Sequence, residues 1–317
     1  MTQRERFIKA LKRQPVEGLV PHFELVFFLT MEAFGKVHPT HRNYSQWNQM
    51  SKTEQKLHHA DIAHIYVDTA RKYNHSAIFV HSGVADYEIT APVLEKIREI
   101  SGDEYFIMLH GDPTYPIPEG DTMLDFTAQI YEEPELLKKQ SQKRVDEYTA
   151  WSRKFEGSGL LDGFALCSDY CFNTNPFFGP DLFEDLIAPY LKQIVSIYRS
   201  MGYFSIKHTD GNIMPILDQM VACAPDAIHS LDPQGGVDLD VIRERVGDKV
   251  CLIGNVNCGL LQTGTDEECI ADIKRSLTSG MKSPGYIFST SNCVYTGLSL
   301  SRYELMQKVW KEFGVYK

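Results

Sequence analysis

The stretch Phe204-Ser-Ile-Lys-His-Thr-Asp-Gly-Asn212 begins as a short run of strand-forming residues and ends in residues that can bind a metal or move a proton. Ser289-Thr-Ser-Asn-Cys293 has the same form near the other end of the chain. Each stretch predicts a buried strand with a polar carboxyl tip. In a chain of alternating strands and helices these tips gather on one face, so we expect His208, Asp210 and Cys293 to meet there.

The same alternation extends over most of the 317 residues. Strand-like runs lie near 20–27, 76–80, 105–109, 162–167, 203–207, 226–230, 249–254 and 285–289. Helical patterns lie near 51–73, 93–100, 132–157, 181–200, 212–222, 238–246, 266–279 and 299–313. This order predicts one α/β domain over 1–317, a (β/α)8 TIM barrel with an N-terminal helix in 1–18 and an insertion or lid at 112–130. An open doubly wound sheet is the alternative, but no break in the order indicates one.

Composition narrows the class of function. Lys and Arg total 32 against 42 Asp and Glu, a net charge of −10, which argues against a nucleic-acid partner. No apolar run is long enough to cross a bilayer, and the polar start at residues 1–6 does not form a signal peptide, so we expect a cytoplasmic protein with no membrane partner. Seven scattered cysteines without a CxxC pair indicate reduced thiols.

Polar residues stand at the ends of the predicted strands. They are Glu24, His81, His110, Asp112, Asp169, His208, Asp210, His229, Asp232, Asn255, Asn257 and Cys293. Side chains at the carboxyl face of a barrel form its active site, so this set is the candidate site. From it we take Asp169, His208 and Glu24 as candidate catalytic residues.

A metal site is one interpretation of His208-Thr-Asp210. Residues i and i+2 of an extended segment point the same way, so one ion can take the imidazole and the carboxylate together. Cys293 adds a thiolate, which makes a mixed set that suits zinc with one open position. Cys258 is a further possible thiolate. The alternative is that residues 210–212 form a plain turn in which Asp210 caps the next helix.

Aromatic residues near the tips suggest an apolar pocket for a small substrate. Tyr170 and Phe178 follow the fourth predicted strand, and Phe23 lies in the first. With Asn255 they are the candidate substrate-binding residues. Ordinary core packing is the alternative for each aromatic ring.

Several segments together resemble a known family. They are Arg4-Glu-Arg-Phe-Ile-Lys-Ala-Leu11, Ser168-Asp-Tyr170, Phe178-Gly-Pro-Asp-Leu-Phe183, Pro189-Tyr-Leu-Lys192, Lys207-His-Thr-Asp-Gly-Asn212, Gly254-Asn-Val-Asn257 and Ser291-Asn-Cys293. In their order and spacing the chain resembles the uroporphyrinogen decarboxylase superfamily, in particular its cobamide-dependent methyltransferase branch. The resemblance covers most of the length and implies a (β/α)8 barrel.

The methyltransferase branch holds zinc with a His-x-Cys pair and a later Cys. His208 matches the first ligand and Cys293 the last, while Asp210 stands where the middle Cys is expected. The decarboxylase members bind a substrate with four carboxylates through paired arginines after the first strand. Here that region is Pro21-His-Phe-Glu-Leu-Val-Phe-Phe28, which has no arginine, so we do not expect that substrate to bind.

The resemblance therefore implies methyl transfer between a small methylated substrate and a corrinoid supplied by a separate partner protein, assisted by zinc. The substrate would be a methoxylated aromatic, a methylamine or a thiol. A metal-free decarboxylase or lyase, in which Asp169 or His208 steers protons, is the first alternative. A non-catalytic barrel that binds a tetrapyrrole or a corrinoid protein is the second.

Overall fold

The structure, a computed structural model, describes residues 1–81 and 87–316. Within these residues seven parallel strands form one sheet in sequence order, and a short antiparallel ribbon joins the two ends of the chain. The ribbon consists of β1 (Gly18–Leu19) and β9 (Val315–Tyr316). The sheet strands are β2 (Ala77–Phe79), β3 (Phe106–His110), β4 (Gly163–Cys167), β5 (Phe204–Thr209), β6 (Ala227–Ser230), β7 (Cys251–Ile253) and β8 (Tyr286–Ile287).

Helices connect the strands, as parallel neighbours require. They are α1 (Gln3–Leu11), α2 (Thr30–Phe34), α3 (Lys52–Tyr73), α4 (Tyr87–Ser101), α5 (Thr122–Glu132), α6 (Pro134–Ser152), α7 (Pro180–Leu186), α8 (Ala188–Ser200), α9 (Leu217–Ala222), α10 (Leu239–Val246), α11 (Cys258–Thr263), α12 (Asp266–Gly280) and α13 (Leu300–Phe313). Short 3-10 turns cover Pro39–His41, Trp47–Gln49, Arg153–Phe155 and Pro233–Gly235. None of the described helices combines the length and the apolar character that crossing a bilayer requires.

The sheet closes into a barrel through the segment that precedes Glu24. On one side, the Phe23 N–H donates to the Phe288 carbonyl oxygen at 3.1 Å. On the other, the Ser76 N–H donates to the His22 carbonyl oxygen at 2.7 Å. These bonds link the β8 side of the sheet to the β2 side. The predicted TIM-barrel class is confirmed.

The prediction of a regular first strand over 20–27 is wrong. Pro21 has no amide hydrogen, so it cannot donate to a neighbouring strand. Isolated parallel bridges form instead, at His22 and at Phe27. The first position of the barrel is therefore occupied by an irregular extended segment.

Strand side chains alternate between the barrel interior and the surrounding helices. Ala165, Ile206 and Ala227 belong to the interior cluster. Phe7 of α1 joins the same cluster, and its ring centroid lies 4.8 Å from that of Phe106. α1 thus covers the amino end of the barrel and leaves the carboxyl end for the site.

Two other segments differ from their predicted form. The predicted helix 181–200 is two helices, α7 and α8, because Pro189 fits the first turn of a helix and not its interior. The segment 112–130 contains a loop followed by most of α5, which packs against α6. Its role as an insertion or lid stays a prediction.

Candidate metal centre at the carboxyl ends of the strands

The register of β4, β5 and β6 positions the candidate site. Ile206 and His208 alternate with outward residues of β5, and Asp210 follows directly after the strand ends. Parallel pairing places Cys167 of β4 and His229 of β6 beside His208. An imidazole therefore stands at the carboxyl end of the barrel interior, where such barrels carry their active sites.

Three side chains at this end bring possible ligand atoms together. The Nε2 atom of His208 lies 3.7 Å from Oδ1 of Asp210 and 3.9 Å from Oδ1 of Asp169. All three residues offer a ligand atom within 4.8 Å of the other two. Side-chain exposure is 7% for His208, 24% for Asp210 and 50% for Asp169, so the group opens to solvent on the Asp169 side.

Asp210 is held in place by its neighbours. Ser230 Oγ donates to Oδ1 at 2.8 Å, and Asn292 Nδ2 donates to Oδ2 at 2.5 Å. The Asp210 N–H donates to Oδ1 of Asp169 at 3.1 Å. Burial, opposed by His208 and reinforced by the charge of Asp169, raises the pKa of the Asp210 carboxyl to about 6. Two carboxylates this close favour a cation or a shared proton between them.

The turn after β5 does not make Asp210 a helix cap, because α9 begins only at Leu217. Gly211 has a positive φ of 79°, and a Cβ there would lie 2.7 Å from the Phe172 carbonyl oxygen. Gly235 packs on the other side, where a Cβ would lie 2.3 Å from the Gly211 carbonyl carbon. The loop that carries Asp210 is therefore fixed between two others.

His229 lies directly behind His208. The Nδ1 atoms of the two rings are 2.8 Å apart, and Nε2 of His229 is 3.2 Å from the Thr290 carbonyl oxygen. His229 is fully buried. Burial, together with the neighbouring His208, lowers the pKa of His229 well below its usual value, so the ring is neutral.

Glu24 is buried near this rim but has different contacts. Its Oε2 atom accepts hydrogen bonds from the Thr290 hydroxyl at 2.5 Å and the Thr290 N–H at 3.2 Å. Its Oε1 atom has no hydrogen-bond partner among the described residues. Burial raises the pKa of Glu24 to about 8 despite the bonds to Thr290, so the carboxyl is mostly protonated at neutral pH. Its catalytic role stays a prediction.

Cys293 and Cys258 lie beside each other, since the Cys258 thiol donates to the Cys293 carbonyl oxygen at 3.9 Å. Among the described residues, the group that could hold a metal consists of Asp169, His208 and Asp210 and does not include either cysteine. Burial raises the pKa of both thiols to about 12, so both are neutral in the metal-free chain. Their roles as ligands stay predictions.

The four residues predicted to bind substrate, Tyr170, Phe178, Phe23 and Asn255, are fully buried. The Tyr170 hydroxyl lies 2.5 Å from the Thr114 hydroxyl, and the Asn255 amide donates to a main-chain carbonyl of a neighbouring loop. In this conformation Phe23 packs in the barrel interior, and the other three are buried behind the rim. Their contact with a substrate stays a prediction.

A buried ion pair outside the barrel interior escaped the sequence analysis. Lys207 Nζ lies 2.7 Å from Oδ2 of Asp112 and donates to the carbonyls of Leu166 and Ser168 at 3.1 and 2.9 Å. The three ammonium hydrogens therefore all have partners. Lys207 joins β5 to the ends of β3 and β4 and is not free to act as a base. The available signal was a lysine inside an otherwise apolar strand.

From the sequence alone, His229 is only a polar residue at a strand end, and Ser230 and Asn292 are not among the candidate residues. The signal for His229 was its position. It is the next-to-last residue of β6, as His208 is of β5, and neighbouring parallel strands place such residues side by side. The contacts of Ser230 and Asn292 with Asp210 depend on tertiary structure and left no signal in the sequence.

Fold and site together define an α/β barrel with a cluster of polar side chains at the carboxyl ends of its strands. The model of the uroporphyrinogen decarboxylase (URO-D) family matches residues 121–313, which is more than half of the chain. The chain therefore belongs to the uroporphyrinogen decarboxylase family. The resemblance inferred from the sequence is confirmed at that level.

Among solved structures, a methyltransferase from Methanosarcina mazei matches with a TM-score of 0.74 and 16% sequence identity, over 99% of this chain and 99% of that one. A GH5_18 from Bifidobacterium longum subsp. infantis matches with a TM-score of 0.49 and 10% identity, over 94% of this chain and 80% of that one, which is too weak to support an argument. No curated protein matches the sequence. The likeness to the Methanosarcina mazei protein supports the barrel fold.

Proposed function

We propose that the chain is a corrinoid-dependent methyltransferase that moves a methyl group between a small methylated substrate and a corrinoid held by a separate protein, assisted by zinc. The observation that carries the proposal is the convergence of one imidazole nitrogen and two carboxylates at the carboxyl end of a URO-D-family barrel. The overall likeness to a protein described as a methyltransferase supports this choice within the family.

The donor set fits a divalent cation. Zinc accepts imidazole nitrogen and carboxylate oxygen at about 2.0–2.2 Å, which puts tetrahedral ligands about 3.4 Å apart. The 3.7 and 3.9 Å separations between His208 and the two carboxylates are within a few tenths of an ångström of that value. Two carboxylates balance the charge of the ion, and three protein ligands leave one position open.

The proposed ligands are Asp169, His208 and Asp210, while Cys293 and Cys258 remain the alternatives from the sequence. An ion held by oxygen and nitrogen is a harder Lewis acid than one held by thiolates. This favours a substrate whose methyl group is bound to oxygen or nitrogen, such as a methoxylated aromatic or a methylamine, over a thiol.

Asp169, His208 and Asp210 would hold the zinc ion, which would supply Lewis acidity to the heteroatom that carries the methyl group. The residues of the chain contribute orientation. Ser230 and Asn292 fix the Asp210 carboxylate, so the donors keep their positions while a substrate binds. Asp169 is the most exposed member of the group, so the substrate approaches from its side.

A corrinoid on a separate protein must reach the methyl group from the same rim. Leu124 and Tyr131 of α5 are exposed and lie seven residues apart, which puts them on one face of the helix. Phe172, in the loop after β4, is exposed as well. Large exposed apolar side chains near a site favour contact with a protein. α5 packs against the loop after β4, since the ring centroids of Phe126 and Phe178 are 6.3 Å apart, so these residues support docking of the partner on this rim.

The second candidate function is a metal-free decarboxylase or lyase. One observation favours it: burial raises the pKa of Asp210 to about 6, and an acid–base group works best with a pKa near the working pH. In that case His208, Asp169 and Asp210 would move protons at the substrate, and the protein would need neither zinc nor a corrinoid partner.

Metal analysis of protein purified without chelators separates the two candidates. We expect about one zinc per chain, lost in His208→Ala, strongly reduced in Asp169→Asn and retained in the matched variant Cys293→Ser. Loss of zinc in Cys293→Ser but not in Asp169→Asn would select the cysteine ligand instead. A wild-type protein that binds no metal would contradict the zinc proposal.

Methyl transfer is tested with methylated substrates and candidate corrinoid proteins, followed through the absorption spectrum of the cobalt. We expect transfer only when a corrinoid protein is present, because the proposed reaction exchanges the methyl group with a corrinoid held by that partner. Full methyl transfer without any corrinoid would refute the proposed partner, and decarboxylation without metal would favour the second candidate.

A further inference from the structure

We propose that His229 is a positioning residue that holds His208 in the tautomer with its proton on Nδ1, so that the Nε2 lone pair points toward Asp169 and Asp210. The two rings lie side by side on β5 and β6, and their Nδ1 atoms are 2.8 Å apart. The consequence for zinc rests on the proposed function, but the tautomer itself does not.

The main-chain carbonyl of Thr290 determines which ring nitrogen of His229 carries a proton. Its oxygen lies 3.2 Å from His229 Nε2, and a carbonyl oxygen can only accept a hydrogen bond, so Nε2 carries a proton. Ser289 Oγ lies 3.4 Å from the same nitrogen and donates its own proton to Glu24, so it too can act as an acceptor. Both contacts are therefore consistent with an N–H donor at Nε2 of His229.

The donor and the acceptor in the contact between the two rings can then be assigned. A 2.8 Å distance between two ring nitrogens requires one donor and one acceptor. If His229 were the donor it would carry two protons and a positive charge. It is fully buried, and in the described part of the chain it has no carboxylate partner, so that charge would be costly. His208 therefore donates from Nδ1 to a neutral His229.

When His208 is neutral, this assignment leaves its Nε2 without a proton. The bare nitrogen faces Asp210 Oδ1 at 3.7 Å and Asp169 Oδ1 at 3.9 Å. In that form, three atoms with free electron pairs converge. The group is thus prepared for a cation before any cation binds, as hydrogen bonds behind a metal-binding histidine commonly arrange.

The support for this tautomer extends to the first segment of the barrel. Thr290, whose carbonyl orients His229, is itself held by Glu24 through its hydroxyl at 2.5 Å and its N–H at 3.2 Å. A chain of contacts therefore runs from Glu24 through Thr290 and His229 to His208. Glu24 therefore anchors this series of contacts, with Thr290 and His229 between it and His208.

The tautomer is tested directly by NMR of metal-free protein labelled with ¹⁵N in histidine, at a pH where His208 is neutral. His208 is assigned by comparison with His208→Ala. We expect its proton on Nδ1 and a bare Nε2. A proton on Nε2 would overturn the inference, whether or not the protein binds zinc.

The positioning role is tested by titrating metal-free variants with Zn²⁺. We expect His229→Phe, which keeps a ring but has no acceptor, to bind Zn²⁺ about 10- to 100-fold more weakly. His229→Asn places an acceptor near the lost Nδ1 and should recover most of the affinity. The matched control is His75→Phe, because His75 is also buried but bonds to Tyr303 and not to His208.

Equal affinity for Zn²⁺ in His229→Phe and wild type would refute the positioning role, and so would a matching loss in the His75 control. If the wild type binds no Zn²⁺, the zinc proposal fails, and the NMR result alone decides the tautomer. Failure of His229→Phe to fold leaves His229→Asn and the wild-type spectrum as the deciding measurements.

Discussion

Glu24 and Asp112 are both buried carboxyls, yet their pKa values move in opposite directions. Burial raises the pKa of Glu24 to about 8, because its hydrogen bonds from Thr290 and Ser289 only partly offset desolvation. Burial also acts against the charge on Asp112, but the adjacent Lys207 ammonium and the bonds from Thr114 outweigh it and lower the pKa to about 2. A neighbouring cation decides between the two outcomes.

The raised pKa of Glu24 predicts a pH-dependent stability. A carboxyl whose pKa is higher in the folded state contributes stability that is complete below its unfolded value of 4.5 and is lost as the pH rises through about 8. The side chain in Glu24→Gln does not ionise, so the variant does not lose this stability as the pH rises. We expect the variant to gain on the order of a few kcal/mol relative to wild type between pH 5 and 8.

The measurement is the free energy of unfolding in denaturant at several pH values. Glu17→Gln, a change at an exposed carboxyl, serves as the matched control and should follow the wild type. A Glu24→Gln curve parallel to that of the wild type would show that burial does not shift this group.

At the scale of elements, the site depends on loops that pack against one another after the strands end. The loop after β5 carries Asp210 and contacts the loops after β4 and β6 through glycine positions that have no room for a side chain. The pattern His208-Thr-Asp210 predicted which side chains share a direction. It did not predict the neighbouring loops, since these contacts join residues from separate strand–helix units.

We predict that Gly235→Ala destabilises the protein and weakens the proposed metal site. The added Cβ would lie 2.3 Å from the Gly211 carbonyl carbon, so the loop that carries Asp210 must shift. Overpacking of this kind costs about 1–3 kcal/mol. Denaturant unfolding and a Zn²⁺ titration measure the two effects.

Gly179→Ala is the matched control, because a Cβ at Gly179 meets nothing within 4 Å. It should lose well under half as much stability and keep the zinc affinity of the wild type. Equal behaviour of the two variants would mean that the loops after β5 and β6 are not in close contact.

At the scale of the whole molecule, the charge of the chain bears on whether it could bind a porphyrinogen with four carboxylates. The net charge is −10, and residues 21–28 contain no arginine. The carboxyl of Glu24 occupies that region, and its neighbours are hydroxyl, amide and imidazole groups. Such surroundings offer no bidentate cation for a carboxylate ligand.

We therefore predict no useful turnover of uroporphyrinogen. The expected rate lies far below the roughly 1 per second of an ordinary enzyme, because residues 21–28 offer no arginine to bind the carboxylates of the substrate. The rate is measured by product analysis after incubation with uroporphyrinogen under anaerobic conditions. Heat-denatured protein serves as the blank. Decarboxylation at about 1 per second or more would place the chain among the decarboxylases and against the methyltransferase proposal.

The sequence by itself determined the barrel class, most strand and helix positions, and the pairing of His208 with Asp210. These features follow from local periodicity, which a single chain displays without reference to its fold. The predicted strand over 20–27 was wrong, because only isolated bridges form there, at His22 and at Phe27. The segment 181–200 was also predicted as one helix, although Pro189 marks the start of a second.

Only the tertiary structure decided which polar residues meet. Asp169 lies with His208 and Asp210 in a group that could hold a metal, and His229 stands behind it. The roles of Cys293 and Cys258 as ligands stay predictions. Tyr170 and Phe178 end up inside the wall of the barrel. The physical reason is that strand register and loop packing join residues far apart in sequence, and a displacement of one residue would turn each side chain to the opposite face.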